Sequence, residues 1–198
     1  MRLYGIIIFI AMAVVATLNS FFNPMGLPWY HYVIATIIYT VAVILVDGAV
    51  AGISRGLPEK WIRQESRFYT ATKEEQLFYR KLGVQKWKDH VPELGQFTGF
   101  HKNKVLDPKD NKYIGRFMSE VCYGILGHFW SMPLSFLILF IDWRMWLGQS
   151  NLWLTIGVPV AVVSVVLNFM PYVVLRYNLP KLQALYKINL RTIANKTV

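Results

Sequence analysis

His128 and Glu120 stand in the run MSEVCYGILGHFWSMPLSFLILFI (118–141), which is otherwise apolar enough to cross a membrane. Charges are costly in a lipid-facing helix, so an acid and an imidazole there mark a functional site by default. Imidazole exchanges protons near neutral pH, which makes His128 the candidate general base, of the kind that takes a proton from a hydroxyl during acyl transfer. Glu120 is eight residues away, about 12 Å along a helix axis, and cannot orient the imidazole. It is instead a candidate to hold a substrate sugar hydroxyl or to pair with a nearby base.

These residues need helices to position them. Four apolar stretches, 3–22, 32–54, 121–141 and 152–175, each approach the roughly 20 residues that a bilayer core requires. With 55% hydrophobic and 16% charged residues, the composition is that of a membrane protein. The expected fold is an all-α integral membrane protein, a single domain over 1–198. Two helical hairpins enclose a cytoplasmic insert at 55–119, and a tail covers 176–198. The first stretch follows Arg2 but precedes no A-x-A-like cleavage site, so it is expected to be retained. Of the 21 Lys and Arg residues, 14 lie in 55–116 and five from Arg176 onward. The positive-inside rule then puts both termini and the insert in the cytoplasm, in the cell membrane. Trp29, Tyr30, Trp143, Trp146 and Trp153 gather at the opposite boundary as an aromatic belt.

Counting from the cytoplasmic ends of spans 2, 3 and 4, Asp47, His128 and Asn168 lie seven, eight and seven residues deep. That is one level, roughly 10–12 Å in, reached from three helices. Asp47 is thus the better geometric partner for His128. Each has polar or small company on its own face: Thr36 and Thr40; Gly124, Gly127, Ser131 and Ser135; Ser164 and Pro171. The same stripe serves ordinary helix packing in membranes, so a polar cavity and a packing seam both stand. Cys122 is a lone thiol with nothing nearby to activate it.

The insert carries too many aromatics for a disordered linker: Trp61, Phe68, Tyr69, Phe78, Tyr79, Trp87, Phe97 and Phe100. Thr72-Lys73-Glu74-Glu75 reads as a capping box and Gly83 as a stop, which predicts a helix over 73–82. Its Leu77, Phe78 and Leu82 would lie on the membrane surface or on the span bundle. The polar segment 100–113 reads as a surface loop. The net charge of +10 borders the spans, which points to anionic lipid headgroups or an anionic substrate rather than nucleic acid.

Several segments together resemble one family. They are RKLGVQKWKDHVPELG (80–95), LPEKW (57–61), and a Glu followed eight residues later by His at Glu120 and His128. The last is the pattern N-x-x-P-x-x-x-x-RYN-x-P-K-L from Asn168 to Leu182. They are similar to the glycosyl-4,4'-diaponeurosporenoate acyltransferases, small membrane enzymes of carotenoid glycoester synthesis. Tyr123 and Ile125 depart from the pattern, which leads one to expect an Arg and a second acid there.

The resemblance implies transfer of a fatty acyl group to a primary hydroxyl of a glucosyl lipid. Catalysis would fall to His128, Glu120 and Asp47. Substrate binding would fall to Lys86, Trp87, Lys88, His90, Asn168, Arg176, Tyr177 and Asn178. No permanently bound cofactor or metal is expected. The acyl donor would be acyl-CoA or acyl-carrier protein, whose negative charge Lys86, Lys88, Arg176 and Lys181 would meet. Membrane lipids, a lipid-linked sugar and a second copy of the chain are the other expected partners. Another lipid-modifying transferase, or a lipid or ion carrier, would use the same frame.

Overall fold

Without water to serve their backbone N–H and C=O groups, long apolar runs close their hydrogen bonds internally as helices. In the computed structural model, residues 2–91, 105–148 and 151–195 are described, with side chains from Tyr4 onward. They form α1 (Arg2–Phe22), α2 (Trp29–Gly56), α3 (Lys73–Lys81), α4 (Val84–Trp87), α5 (Asn111–Leu134), α6 (Arg144–Leu147) and α7 (Val158–Ala194). No strand occurs among the described residues. Four segments are long and apolar enough to cross a membrane: Tyr4–Phe22, Trp29–Gly56, Asn111–Leu147 and Trp153–Ala194. Pro92–Gly95 of the block 80–95, Phe97, Phe100 and the start of the loop 100–113 lie outside the described residues. The chain divides into two compact units, Met1–Gly52 with Phe129–Phe169, and Ile53–His128 with Met170–Val198.

In the first unit, Tyr32, Ala35, Tyr39 and Val43 of α2 pack with Ile138, Trp143, Leu152, Ile156, Val160 and Ala161. The spacing in α2 is the three-and-four repeat of one helix face. Trp143 is not part of an exposed belt. It is 5% exposed, and its indole Nε1 donates to Tyr39 Oη at 2.9 Å. Burial favours a Trp whose N–H has found a partner. Trp29, Tyr30, Trp146 and Trp153 are exposed, as a belt requires. Gly157 lets the backbone close on this core, since a Cβ there would meet Leu139 at 2.9 Å and Tyr39 at 3.1 Å.

Helix α1 is largely exposed and is tied down at two irregular places. The π-helical turn Trp153–Gly157 disturbs the regular ladder, and Asn19 Nδ2 donates to the Thr155 carbonyl at 3.0 Å. Pro171 has no N–H to offer the Leu167 carbonyl four residues earlier, and Tyr4 Oη donates to that oxygen at 3.2 Å. Proline inside an apolar helix is tolerated when the freed carbonyl finds such a donor.

In the second unit, α5 begins where hydropathy had not placed a helix. α5 starts ten residues before the expected Val121, with Asp110 Oδ1 accepting from the Lys112 N–H at 2.8 Å as an N-cap. Lys112 and Arg116 on the other face mask the apolar stripe Ile114, Phe117, Met118, Val121, Cys122 and Ile125. Ile62 and Tyr69 of the insert and Leu179 and Leu182 of α7 pack against it. That burial also carries α7 well past the expected 175 and through Pro180 to Ala194. At its other end, α5 gives way at Leu134 to a 3₁₀ segment over Ser135–Phe140, just after Pro133.

The capping box forms as the sequence predicts. Glu75 N–H donates to Thr72 Oγ1 at 3.2 Å, and Thr72 N–H donates to Glu75 Oε2 at 2.8 Å. α3 runs Lys73–Lys81, and Gly83 adopts the left-handed conformation at φ +67° before α4. Leu77, Phe78 and Leu82 are exposed while Tyr79 is buried. Glu75 Oε2 also accepts from Arg176 Nη2 at 2.9 Å. Arg176 further donates to Tyr172 Oη at 2.8 Å and to the Arg67 and Thr70 carbonyls at 3.4 Å.

Arg176 thus holds the insert to α7. Its truncation to Ala should loosen the 63–82 segment by about 2 kcal/mol, since buried charge-assisted bonds are lost. Limited proteolysis of the insert should accelerate roughly thirtyfold in detergent. Lys at this position should fail to restore protection, since an ammonium lacks the planar fork that serves these acceptors.

Candidate functional site

Two sequence-predicted residues meet in the first unit. Asn168 of α7 is buried, and its Nδ2 donates to Asp47 Oδ2 of α2 at 3.1 Å. Ser164, one turn earlier on α7, donates its hydroxyl to the same carboxylate oxygen at 3.2 Å. The Ser135 hydroxyl lies 2.8 Å from Ser164 Oγ and 2.7 Å from the Ser131 carbonyl. Asn168 Nδ2 also reaches the Ser164 carbonyl at 3.1 Å. A carboxylate receiving two side-chain donors is fixed in orientation. Thr36 and Thr40 of the same stripe spend their hydroxyls on their own helix, donating to the Tyr32 and Thr36 carbonyls at 2.8 Å.

Beside Asp47 opens a cleft of about 50 Å³ between α1, α2 and α7. Thr40, Asp47 and Ser164 supply its polar groups, and aliphatic side chains such as Met12, Val43 and Val163 the rest. By the same kind of measure a single water needs ~10–15 Å³, so the cleft has room for a short file of atoms.

The other candidates lie in the second unit. His128, half-buried on α5, is two turns beyond Glu120. Glu120 is half-buried and makes no ion pair among the described residues. Its neighbour Ser119 is the more connected residue, donating to Glu59 Oε1 at 2.7 Å and accepting from Gln64 Nε2 at 2.8 Å. Tyr123, at the position where the family pattern suggests Arg, donates to the Leu57 carbonyl at 3.0 Å and ties the end of α2 to α5. Gly124 of the small-residue stripe is a packing position, since a Cβ there would meet Leu175 at 2.8 Å.

The KWK block splits by environment. Trp87 packs on the core of Tyr79, Val84, Val173, Val174 and Tyr177, with its Nε1 donating to the Leu82 carbonyl at 3.1 Å. Lys86 and His90 are exposed, and Lys88 lies 3.9 Å from Asp89. Arg176 and Tyr177 are buried, and Lys181 stands 3.9 Å over the Tyr177 ring in a cation–π contact. The guanidinium of Arg176 is committed to Glu75, Tyr172 and backbone carbonyls. Asn178 buries its Nδ2 without a partner among the described residues. Burial pushes the Tyr69 and Tyr79 phenols up, so both stay neutral at physiological pH.

Sequence reasoning missed Glu59, Gln64, Ser119 and Glu75 as partners. The capping box had given Glu75 a purely local role, and nothing in the spacing links Gln64 to Ser119 across 55 positions.

The Asp47–Asn168 bond should be measurable. A double-mutant cycle with Asp47→Ala and Asn168→Ala, read by unfolding in mixed micelles, should give a coupling of about 1 kcal/mol, within the range found for polar pairs between membrane helices. Thr36→Ala, whose hydroxyl serves its own helix, should show no coupling to Asn168→Ala.

A family model, glycosyl-4,4'-diaponeurosporenoate acyltransferase, matches residues 58–188, about two thirds of the chain. No curated protein and no solved structure matches the chain. The match takes in the insert, α5 and most of α7, with His128, Glu120, the KWK block and the RYN segment. On that extent, the chain belongs to the glycosyl-4,4'-diaponeurosporenoate acyltransferase family and is an acyltransferase of carotenoid biosynthesis.

Proposed function

We propose that the chain moves a fatty acyl group from a cytosolic thioester, acyl-CoA or acyl-carrier protein, to a sugar hydroxyl of a glycosylated carotenoid. It would do so in the cell membrane, with both termini, the insert and the active face cytoplasmic. The family match over 58–188 carries this reading. The four apolar segments suit an acceptor that lives in a bilayer, and the basic insert suits an anionic donor that does not.

In the reaction, the acceptor oxygen attacks the thioester carbonyl carbon while His128 takes its proton. The C–S bond then breaks, and the proton passes to the departing thiolate. Imidazole suits both transfers because it gains and loses a proton near neutral pH. Glu120, a half-buried carboxylate without an ion pair among the described residues, would accept from a second sugar hydroxyl. Asp47, fixed by Ser164 and Asn168, offers a preformed acceptor of the same kind. Asn178 Nδ2 adds a buried donor. Lys86, with Lys88 and His90 beside it, would meet the donor's phosphates. Trp87 and Tyr177 build the core under that segment, and Arg176 holds the insert that carries it. Membrane lipids surround the spans in this reading, and a second copy of the chain is a compatible partner.

His128→Ala should lower acylated product by 10²–10⁴-fold with expression and melting unchanged, leaving the unacylated glycoside to accumulate in mass spectra. Full turnover in that variant would remove His128 from the mechanism. Charge reversal at Lys86, Lys86→Glu, should raise the donor KM several-fold and leave the acceptor KM alone. Added salt should shrink the difference, as screening of an exposed charge demands.

A further inference from the structure

Within the second unit, α3 is fixed in height by two contacts with α7. Tyr79 is buried with Val173, Val174 and Tyr177, and Glu75 Oε2 accepts from Arg176 Nη2 at 2.9 Å. From Leu152 to Leu175 the chain carries no Asp, Glu, Lys or Arg, and the first charge after that run is Arg176. Bilayer hydrocarbon gives way to headgroups where such a run ends. Both contacts therefore hold α3 at the headgroup level. Outside them its surface is apolar, since Leu77, Phe78 and Leu82 are each about half exposed. Leu77 lies opposite Tyr79 on the helix, with Lys73 and Lys81 four positions to either side and Arg80 three positions on. These cations are exposed and make no ion pair among the described residues. Glu74 is the exposed acid of the helix, and it stands in the first turn, away from Arg80 and Lys81.

We propose that α3 is an interfacial helix that lays Leu77, Phe78 and Leu82 into the headgroup layer of an anionic bilayer. The apolar side chains leave water for the boundary with the acyl chains. Lys73, Arg80 and Lys81 lay their stems along that boundary and keep their charges among lipid phosphates. The cations decide which surface this face fits. Neutral lipid would receive the apolar side chains alone, whereas an anionic headgroup layer also receives the charge. A second copy of the chain, docking through the same face by two-fold symmetry, would set these cations against their own counterparts. The proposal rests on the apolar segments crossing a bilayer and is independent of the transfer reaction.

Spin labels on the full-length protein in nanodiscs test this. One label goes to Phe78→Cys and a control to Lys109→Cys, on the exposed polar turn before α5. Each is read by collision with oxygen, which concentrates in lipid, and with a nickel chelate, which stays in water. Cys122 is buried, and the parent protein carried through the labelling gives its background. In discs of phosphatidylcholine and phosphatidylglycerol in roughly equal parts, the oxygen-to-nickel ratio at 78 should exceed that at 109 by about tenfold. In phosphatidylcholine alone the ratio at 78 should fall severalfold, and Arg80→Gln with Lys81→Gln should abolish the difference between the two lipids. Equal ratios at 78 and 109 would overturn the proposal. Protection of position 78 from oxygen and nickel alike would overturn it too, as the sign of a protein partner covering the face. The same ratio at 78 in both lipids would overturn the anionic surface. If Phe78→Cys fails to fold, Leu82→Cys reports on the same face by the same pair of collisions.

Discussion

A polar group inside an apolar helix must find its partner within the protein, because no water is there to serve it. Three such groups among the described residues are matched to a partner. Pro171 frees the Leu167 carbonyl, and Tyr4 takes it. Pro159 has no N–H for the Thr155 carbonyl four residues earlier, and Asn19 takes it. Asp47 receives Ser164 and Asn168. α1 has few buried side chains of its own, and Tyr4 and Asn19 each donate to a backbone oxygen of the fourth apolar segment, while Ser20 Oγ donates to the Trp29 carbonyl at 3.5 Å. The irregularities therefore act as fixed docking points. A regular helix would have presented no carbonyl for Tyr4 to find.

The second unit meets the same constraint with charge. Arg176 would be costly to bury alone, and its guanidinium fork is shared among Glu75, Tyr172 and two carbonyls of the insert. Glu75 in turn closes the capping box of α3, so a single carboxylate fixes both the start of that helix and its place on α7. Gln183, two turns further on, donates to the Gln64 carbonyl at 2.9 Å and to Thr70 Oγ1 at 3.1 Å. The insert is ordered by these few polar contacts together with Ile62 and Tyr69 in the core. Its Leu77, Phe78 and Leu82 stay exposed.

What the sequence revealed follows from the reach of each signal. The four apolar runs and the capping box are local patterns, and each formed where it was read. That Asp47 and Asn168 share a level came from counting residues in from the helix ends, which works because rise per residue is constant, but the count offered Asp47 to His128 and not to Asn168. The helix limits were less legible, because a hydropathy window averages over all faces. α5 begins at Asn111, where Lys112 and Arg116 hide a regular apolar stripe, and α7 passes through Pro180 because Leu179 and Leu182 are buried on either side of it. Arg176 read as a phosphate-binding cation, since nothing local betrays a partner 101 positions away. Trp143 read as a belt residue, since only the fold shows that Tyr39 is near enough to take its N–H.

Arg176 acts as a clamp between the insert and α7. A cation that is 8% exposed and bonded to a carboxylate has little potential left for a phosphate. Lys181 spends part of its charge over the Tyr177 ring. The cations that remain open to solvent in the insert are on its surface, Lys86 among them. The RYN segment thus builds the platform and the KWK segment presents the charge. The first orders the insert through Glu75, and the second leaves Lys86 exposed to solvent. That separation explains how two short basic blocks, alike in composition, can answer to different physical demands within one unit.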